Sequence, residues 1–235
     1  MPPDEKRAAM SSKLLVSARL LSSLEVILGA AIVIGHNVFH FLPNEVPILF
    51  ILGWISLRVR NGGWTATGLR RPNSWPATIV LALVAALLLL VGSEIVVSPL
   101  AARIWPAPQN VSELFQADRM DWYHALTTLL VVWTFAAFGE EMSYRGYLLT
   151  RAAEVGRRST IAWWAGMILV AILFGFGHFY KGPAGVIDST WSGLVLGSMY
   201  LLAGRNLWVP ILAHGLTDTI ALTIVFMGWA DPAKG

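Results

Sequence analysis

The chain of 235 residues contains no cysteine. Disulfide bonds, thiol nucleophiles and zinc sites with cysteine ligands are therefore excluded. Charged residues are also scarce, at 13%, where a soluble domain carries about 25%. Hydrophobic residues make up 56% of the chain and the mean hydropathy is +0.62. This composition predicts an integral, multi-pass protein of a bacterial inner (cell) membrane, with Glu, Asp, His, Ser and Tyr as the candidate catalytic side chains.

Apolar runs separated by polar segments predict an all-α fold, a polytopic transmembrane helix bundle of about seven spans. The second run is short for a span, and a polar loop is expected over 98–124, with Trp122 and Tyr123 at the membrane interface. The seven runs lie at 24–42, 46–59, 76–97, 125–150, 161–180, 185–203 and 207–229.

The distribution of lysine and arginine predicts the orientation of these spans. If the N-terminus is inside, thirteen of the 17 basic residues fall on the inner side and four on the outer side. Positive residues accumulate in short cytoplasmic loops, so we expect the N-terminus inside and the C-terminus outside. The net charge of +3 then reflects topology. Membrane lipids are expected as partners, and nucleic acid is not.

The segment Phe138-Gly-Glu140-Glu141-Met-Ser-Tyr-Arg145 places three ionisable side chains inside the fourth run. Such groups cost at least about 2.5 kcal/mol each near the bilayer centre, so they indicate a functional use. Glu141 and Arg145, four residues apart, are expected to form an ion pair. Glu140, about 100° round the helix, is left free to face a cavity. The alternative is that all three residues only tie helices together.

Two later motifs supply possible partners for Glu140. They are Phe174-Gly-Phe-Gly-His178 in the fifth run and His214-Gly-Leu-Thr-Asp218 in the last. A single buried histidine is more often a packed residue than a catalyst. Glu140 with both histidines and Asp218, however, forms a set that could activate water and stabilise an oxyanion. Four glycines could permit the close helix packing that this set requires, although packing alone would also explain them. They are Gly175, Gly177, Gly193 and Gly197.

These three motifs, in this order on successive apolar segments, resemble those of the CAAX protease and bacteriocin-processing (CPBP) family of intramembrane endopeptidases, which includes the type II CAAX prenyl endopeptidases. The segment from Trp64 to Leu69 also resembles one found in bacterial members. The resemblance divides the chain into residues 1–59, a tail and two membrane helices without a recognised motif, and residues 60–235, a CPBP-like intramembrane protease core.

The resemblance implies hydrolysis of peptide bonds in membrane-associated peptides or proteins by glutamate-activated water. Glu140 and His178 would activate the water, and His214 and residue 218 would bind the oxyanion. The supporting residues would be Glu141, Arg145 and Phe174. No cofactor is favoured, but zinc is possible, because Glu140, His178 and His214 would satisfy a site of two histidines and one carboxylate. The family has carried both the glutamate-type and the metalloprotease label.

Asp218 departs from the pattern of eukaryotic and archaeal members, in which asparagine is usual. An ionised aspartate cannot donate a hydrogen bond to an oxyanion. Asp218 is therefore either protonated, or it orients His214 and stabilises its charged form, which is the interpretation we prefer.

Two functions of other classes are also compatible with the chain. One is a non-catalytic membrane partner of bacteriocin-immunity or regulatory type, and the other is a small proton-coupled transporter that uses Glu140. The ordered set of three motifs favours the protease. Outside these motifs, His36 and His40 are expected to be solvated interfacial residues, Glu45 to lie in an outer loop, and Glu25 to extend to the membrane interface.

Overall fold

A computed structural model describes residues 3–105 and 121–227, and within these ranges the chain forms helices and turns but no strands. Seven helices follow one another there, each overlapping one of the predicted apolar runs. They are α1 (Pro3–Asn37), α2 (Glu45–Asn61), α3 (Trp75–Ile104), α4 (Trp122–Val155), α5 (Thr160–Phe176), α6 (Gly182–Leu202) and α7 (Trp208–Phe226). The predicted all-helical fold class is confirmed.

Helices α1, α3, α4 and α7 each contain a stretch long and apolar enough to cross a membrane, which marks an integral membrane protein. Helices α5 and α6 pass the same test of length and composition only as a pair. Helix α2 has 17 residues and is therefore about 25 Å long. It is shorter than the hydrocarbon core, which is about 30 Å thick.

Helices α5 and α6 pack closely against each other because glycines lie in their interface. A Cβ atom on Gly193 of α6 would lie 2.8 Å from the Cα atom of Ala171 on α5, and one on Gly175 would lie 2.0 Å from Oγ1 of Thr190. Gly175 faces Thr190, and Ala171, four residues earlier on α5, faces Gly193, three residues later on α6. The two helices therefore run in opposite directions and form an antiparallel hairpin. The predicted run 161–180 accordingly ends at Phe176, and the chain reverses direction immediately after it.

Helix α4 is widened to π geometry over Val132–Glu140 and again over Met142–Leu148. Two side-chain hydroxyls of the widened segments bond to carbonyls within this helix. Thr134 Oγ1 donates to Leu130 O at 2.6 Å, and Ser143 Oγ donates to Gly139 O at 2.8 Å. Bonds of this kind compete with the backbone ladder, and π segments occur frequently at functional sites. Glu140 is the last residue of the first widened segment, and Glu141 lies between the two.

The predicted loop over 98–124 is wrong at its beginning, because α3 continues through a π turn at Ser93–Val97 to Ile104. Pro99 lies two residues after the end of this π turn. Residues 106–120 of the predicted loop lie outside the described ranges. Helix α4 begins at Trp122, which is 72% exposed, as expected for a side chain in the membrane interface.

The segment after α2 joins this helix to the start of α7. Trp64 stacks on Phe50 of α2 at 5.3 Å between ring centroids, and Leu207 N donates to Gly68 O at 3.1 Å. Gly68 has a φ of 107°, and a Cβ atom on it would lie 1.8 Å from Arg205 O, so no other residue fits there. One hydrophobic core includes residues from α1, α2, α4, α5, α6 and α7, among them Val33, Leu49, Leu148, Val170, Tyr200 and Ile211.

Candidate active site

Glu141 lies at the centre of a buried chain of charged side chains that joins α4 to α7. Arg145 Nη1 donates to Glu141 Oε1 at 2.8 Å, which confirms the predicted ion pair. His214 Nδ1 reaches the same oxygen from α7 at 2.9 Å. His214 Nε2 lies 3.4 Å from Asp218 Oδ2, one helical turn further on. Four of the predicted site residues are therefore in direct contact with one another.

Arg145 is compensated on three sides, as a buried guanidinium must be. It is 1% exposed and pairs with Glu141, while its Nη2 donates to Gly193 O at 3.3 Å. Its Cζ atom lies 4.5 Å from the centre of the Phe174 ring, in the geometry of a cation–π contact. The close packing of α5 and α6 at Gly193 is what brings this carbonyl within reach.

Phe174 holds both histidines from its place on α5. Its ring centroid lies 4.8 Å from that of His178 and 6.1 Å from that of His214. Its carbonyl oxygen accepts a hydrogen bond from His178 Nδ1 at 2.9 Å. Because Nδ1 carries the proton of this bond, Nε2 of a neutral His178 has a free lone pair for another partner.

Glu140 differs from its neighbour in having no partner. It makes no hydrogen bond or ion pair with a described residue, and its Oε2 atom is buried. Oε2 of Glu141 is also buried without a hydrogen bond, but its other oxygen accepts two. A buried polar group without a partner requires an explanation, and a catalytic role is one of the few available. Glu140 and His178, the predicted activating pair, are not hydrogen-bonded to each other.

Glu45 belongs to the same site, although sequence reasoning placed it in an outer loop, and that prediction is wrong. It is the first residue of α2 and only 5% exposed. Its Oε1 atom accepts a hydrogen bond from Tyr144 Oη at 3.5 Å, and a Cβ atom on Gly177 would lie 3.4 Å from it. Glu45 therefore contacts the motif on α4 and the reversal between α5 and α6.

His36 was expected to be a solvated interfacial residue; its side chain is 29% exposed, but it also has two protein partners. Helix α1 ends at Asn37, and His36 Nδ1 donates to Leu42 O at 2.9 Å while its Nε2 lies 3.4 Å from Glu45 Oε2. The sequence contains one signal for this arrangement. Asn44 before an acidic residue and an apolar run is an N-cap pattern, and Asn44 Oδ1 does accept from Val46 N at 2.9 Å.

The zinc alternative can be compared with the placement of the three candidate ligands. Among the described residues, no group of three His, Cys, Asp or Glu side chains is arranged to hold a metal ion. Glu140, His178 and His214 therefore do not form the open tetrahedral site that zinc requires. Both ring nitrogens of His214 lie close to carboxylate oxygens, of Glu141 and of Asp218, so neither nitrogen is available to bind a metal ion.

Comparison with known proteins gives one match. Residues 122–220 match the family model described as Type II CAAX prenyl endopeptidase Rce1-like. No curated protein and no solved structure matches the chain. The matched segment contains all seven predicted site residues, from Glu140 to Asp218. This agreement confirms the resemblance that the three motifs indicate: residues 122–220 are similar to the Rce1-like type II CAAX prenyl endopeptidases.

Proposed function

We propose that this protein is an intramembrane endopeptidase that hydrolyses peptide bonds of membrane-associated peptides or proteins with water activated by Glu140. The observation that carries the proposal is the contrast between two adjacent glutamates. Glu141 is neutralised by Arg145 and His214, whereas Glu140 has a buried oxygen without a partner. The family match supports a peptidase.

In the proposed reaction a water molecule lies between Glu140 and Nε2 of His178. Glu140 accepts a proton from this water as the water oxygen attacks the carbonyl carbon of the peptide bond, which gives a tetrahedral oxyanion. The C–N bond then breaks, and the proton held by Glu140 passes to the departing amine nitrogen. His178 accepts a hydrogen bond from the water, since its Nδ1 is fixed on the Phe174 carbonyl.

His214 is the proposed electrostatic partner of the oxyanion. Only the doubly protonated ring can donate towards both Glu141 and Asp218, so the two carboxylates favour a positively charged His214. A fixed positive charge stabilises developing negative charge without reorganisation. Asp218 then acts through His214 as a positioning residue, and Arg145 compensates the charge of Glu141.

We also propose that the chain crosses the membrane seven times, with the N-terminus inside. The excess of basic residues on one side supports this topology, and so does the antiparallel pairing of α5 with α6, which returns the chain to the side from which it came.

Glutamine substitutions at the glutamates test the proposed function. Peptide termini in the membrane fraction are quantified by proteomics in cells that carry the wild type, Glu140→Gln or Glu94→Gln. Glu94 is an exposed glutamate on α3 and serves as the matched control. We expect Glu140→Gln to remove the protease-dependent termini, because loss of a general base costs about 10²- to 10⁴-fold in rate. Thermal stability should stay unchanged, since no buried charge loses its partner.

Full cleavage by Glu140→Gln would contradict the role of this residue. An identical set of termini with and without the wild-type protein would favour a non-catalytic scaffold. Solute uptake by proteoliposomes that Glu140→Gln abolishes, without any cleavage product, would instead favour the proton-coupled transporter.

A further inference from the structure

A cavity of about 650 Å³ lies between α1, the end of α2 and the turn that joins α4 to α5. Its lining is rich in arginine and includes Arg19, Arg60, Arg157 and Arg158, with Ser22 and Glu154. Volumes of 300–1,000 Å³ are typical of pockets that hold small ligands. The cavity is far along α4 from Glu140 and takes no part in the proposed hydrolysis.

Positive charge exceeds negative charge around this cavity. The two carboxylates are already engaged: Glu154 accepts from Arg60, Arg151 and Arg158, and Glu25 accepts from Arg60 and Arg151. With Arg19 and Arg157, five arginines face two glutamates among the described side chains, which leaves a surplus of three positive charges. A surplus of positive charge of this size favours the binding of an anion.

Two of the arginines have guanidinium groups available for a ligand. Arg157 is exposed and makes no side-chain hydrogen bond or ion pair with any residue that the structure describes. Toward the described part of the chain Arg19 uses only its Nε atom, which donates to Val155 O at 2.8 Å, so both terminal nitrogens are without a partner there. Guanidinium groups with free donors are the preferred protein ligands of phosphate, because they bind it with two parallel hydrogen bonds.

The backbone that presents these side chains is strained. Arg157 and Arg158 have φ values of 59° and 54°, in the left-handed region that glycine or asparagine would occupy at lower cost. Two consecutive arginines in this conformation cost free energy of folding, and strain of this kind clusters at functional sites.

An apolar groove of about 410 Å³ adjoins the charged cavity. Ser23, Val155 and Gly156 line the groove, and each is the direct chain neighbour of a residue that lines the cavity. The rest of the groove follows α1, α4 and α5 and is lined mainly by Val26, Ile27, Ala152, Ala165, Gly166 and Leu169. Small residues form its floor: a Cβ atom on Gly166 would lie only 3.0 Å from the Cβ atom of Ala152.

We propose that the cavity binds the phosphate headgroup of an anionic phospholipid and that the groove holds one of its acyl chains. A basic pocket at the ends of transmembrane helices, continuous with an apolar groove along them, matches both parts of such a lipid. A free phosphate ion would bind in the cavity but not in the groove. Experiment can therefore distinguish a lipid headgroup from free phosphate as the source of the anion.

The test measures binding to the full-length protein in detergent by native mass spectrometry and by the shift in unfolding temperature. The probes are dioleoyl phosphatidylglycerol, dioleoyl phosphatidylcholine and inorganic phosphate. We expect phosphatidylglycerol to bind most tightly. Each of Arg19→Gln and Arg157→Gln should weaken it about five-fold, which corresponds to about 1 kcal/mol per arginine. Arg58→Gln, an exposed arginine at the end of α2 outside the cavity, is the control and should not change binding.

Ala165→Leu tests the groove separately. Ala165 is exposed, so a larger side chain can enter the groove without disturbing the packing of α5. The Ala165→Leu variant should bind phosphatidylglycerol more weakly and leave any binding of inorganic phosphate unchanged. Equal stabilisation by phosphate and phosphatidylglycerol would overturn the lipid assignment. Equal binding of the two lipids, or an effect of Arg58→Gln as large as that of Arg157→Gln, would overturn the site itself.

Discussion

The ion pair of Glu141 and Arg145 leads to a quantitative prediction about stability. Arg145→Met keeps most of the side-chain volume but removes one of the two side chains that neutralise Glu141. Glu141 has no exposed surface, so its carboxylate cannot gain water in compensation. Removing one member of a buried ion pair costs about 3–5 kcal/mol. Loss of the cation–π contact with Phe174, at 4.5 Å, accounts for up to about 2 kcal/mol of this destabilisation.

A loss of 3–5 kcal/mol should be visible as a lower unfolding temperature. For a chain of this size the shift is about 2–4 °C per kcal/mol, so Arg145→Met should unfold roughly 10 °C below the wild type. The measurement is thermal unfolding in detergent, followed by the fluorescence of the 11 tryptophans. Arg58→Met removes an exposed arginine and should change stability by no more than about 0.5 kcal/mol.

The double variant Glu141→Gln/Arg145→Met decides whether the stranded charge is the cause. With both charges removed, glutamine still accepts from His214 Nδ1, and no buried ion is left without compensation. The double variant should therefore be more stable than Arg145→Met alone, with a coupling free energy of about 2 kcal/mol. A double variant destabilised by the sum of the two single changes would refute this reasoning, because the loss would then come from packing.

Three further outcomes are expected. Asp218→Asn should lower the cleavage rate and shift the pH optimum with little change in apparent substrate affinity, because it removes the charge 3.4 Å from His214 Nε2; undiminished activity extending to higher pH would return residue 218 to the oxyanion hole. If Glu140 alone activates water, the purified protein should contain less than one zinc per chain and keep its activity in a tight chelator, whereas stoichiometric zinc that restores lost activity would assign metal-assisted chemistry. Gly193→Ala should destabilise by about 1–3 kcal/mol in thermal unfolding, since the new Cβ would lie 2.8 Å from the Cα atom of Ala171; unchanged stability would show that α5 can move away at no cost.

The features of the fold and site that depend on local sequence could be predicted. Apolar runs of sufficient length predicted the seven helices because hydrophobicity alone determines where a membrane helix can lie. The pairing of Glu141 with Arg145 was predictable for a similar reason, since residues four apart on a helix are neighbours whatever surrounds them. The end of α5 was predicted less well, because the reversal after Phe176 depends on how α6 packs against it.

Contacts between distant parts of the chain were not predictable from one sequence. Glu45 and Tyr144 are 99 positions apart, and nothing in either local pattern names the other as a partner. Glu25 was expected to reach the membrane interface, and that prediction is wrong, because its carboxylate accepts from Arg60 and from Arg151, which is fully buried. In both cases the sequence shows an isolated acid near the start of a predicted apolar run, whereas the fold supplies its partners from other helices.

The helix α4 shows why the unpaired glutamate is informative. It carries five carboxylate or guanidinium groups that lie partly or fully inside the protein, at positions 140, 141, 145, 151 and 154. Four of the five have ion-pair partners, and for three of these four a partner comes from another helix. Burying a charge is so costly that each of these pairs is needed to keep α4 in place. Glu140 alone lacks such a partner among the described residues, so the stability of the fold does not account for it. A charged group that the fold does not need, kept at a depth where it is expensive, supports the proposed role of Glu140 in hydrolysis.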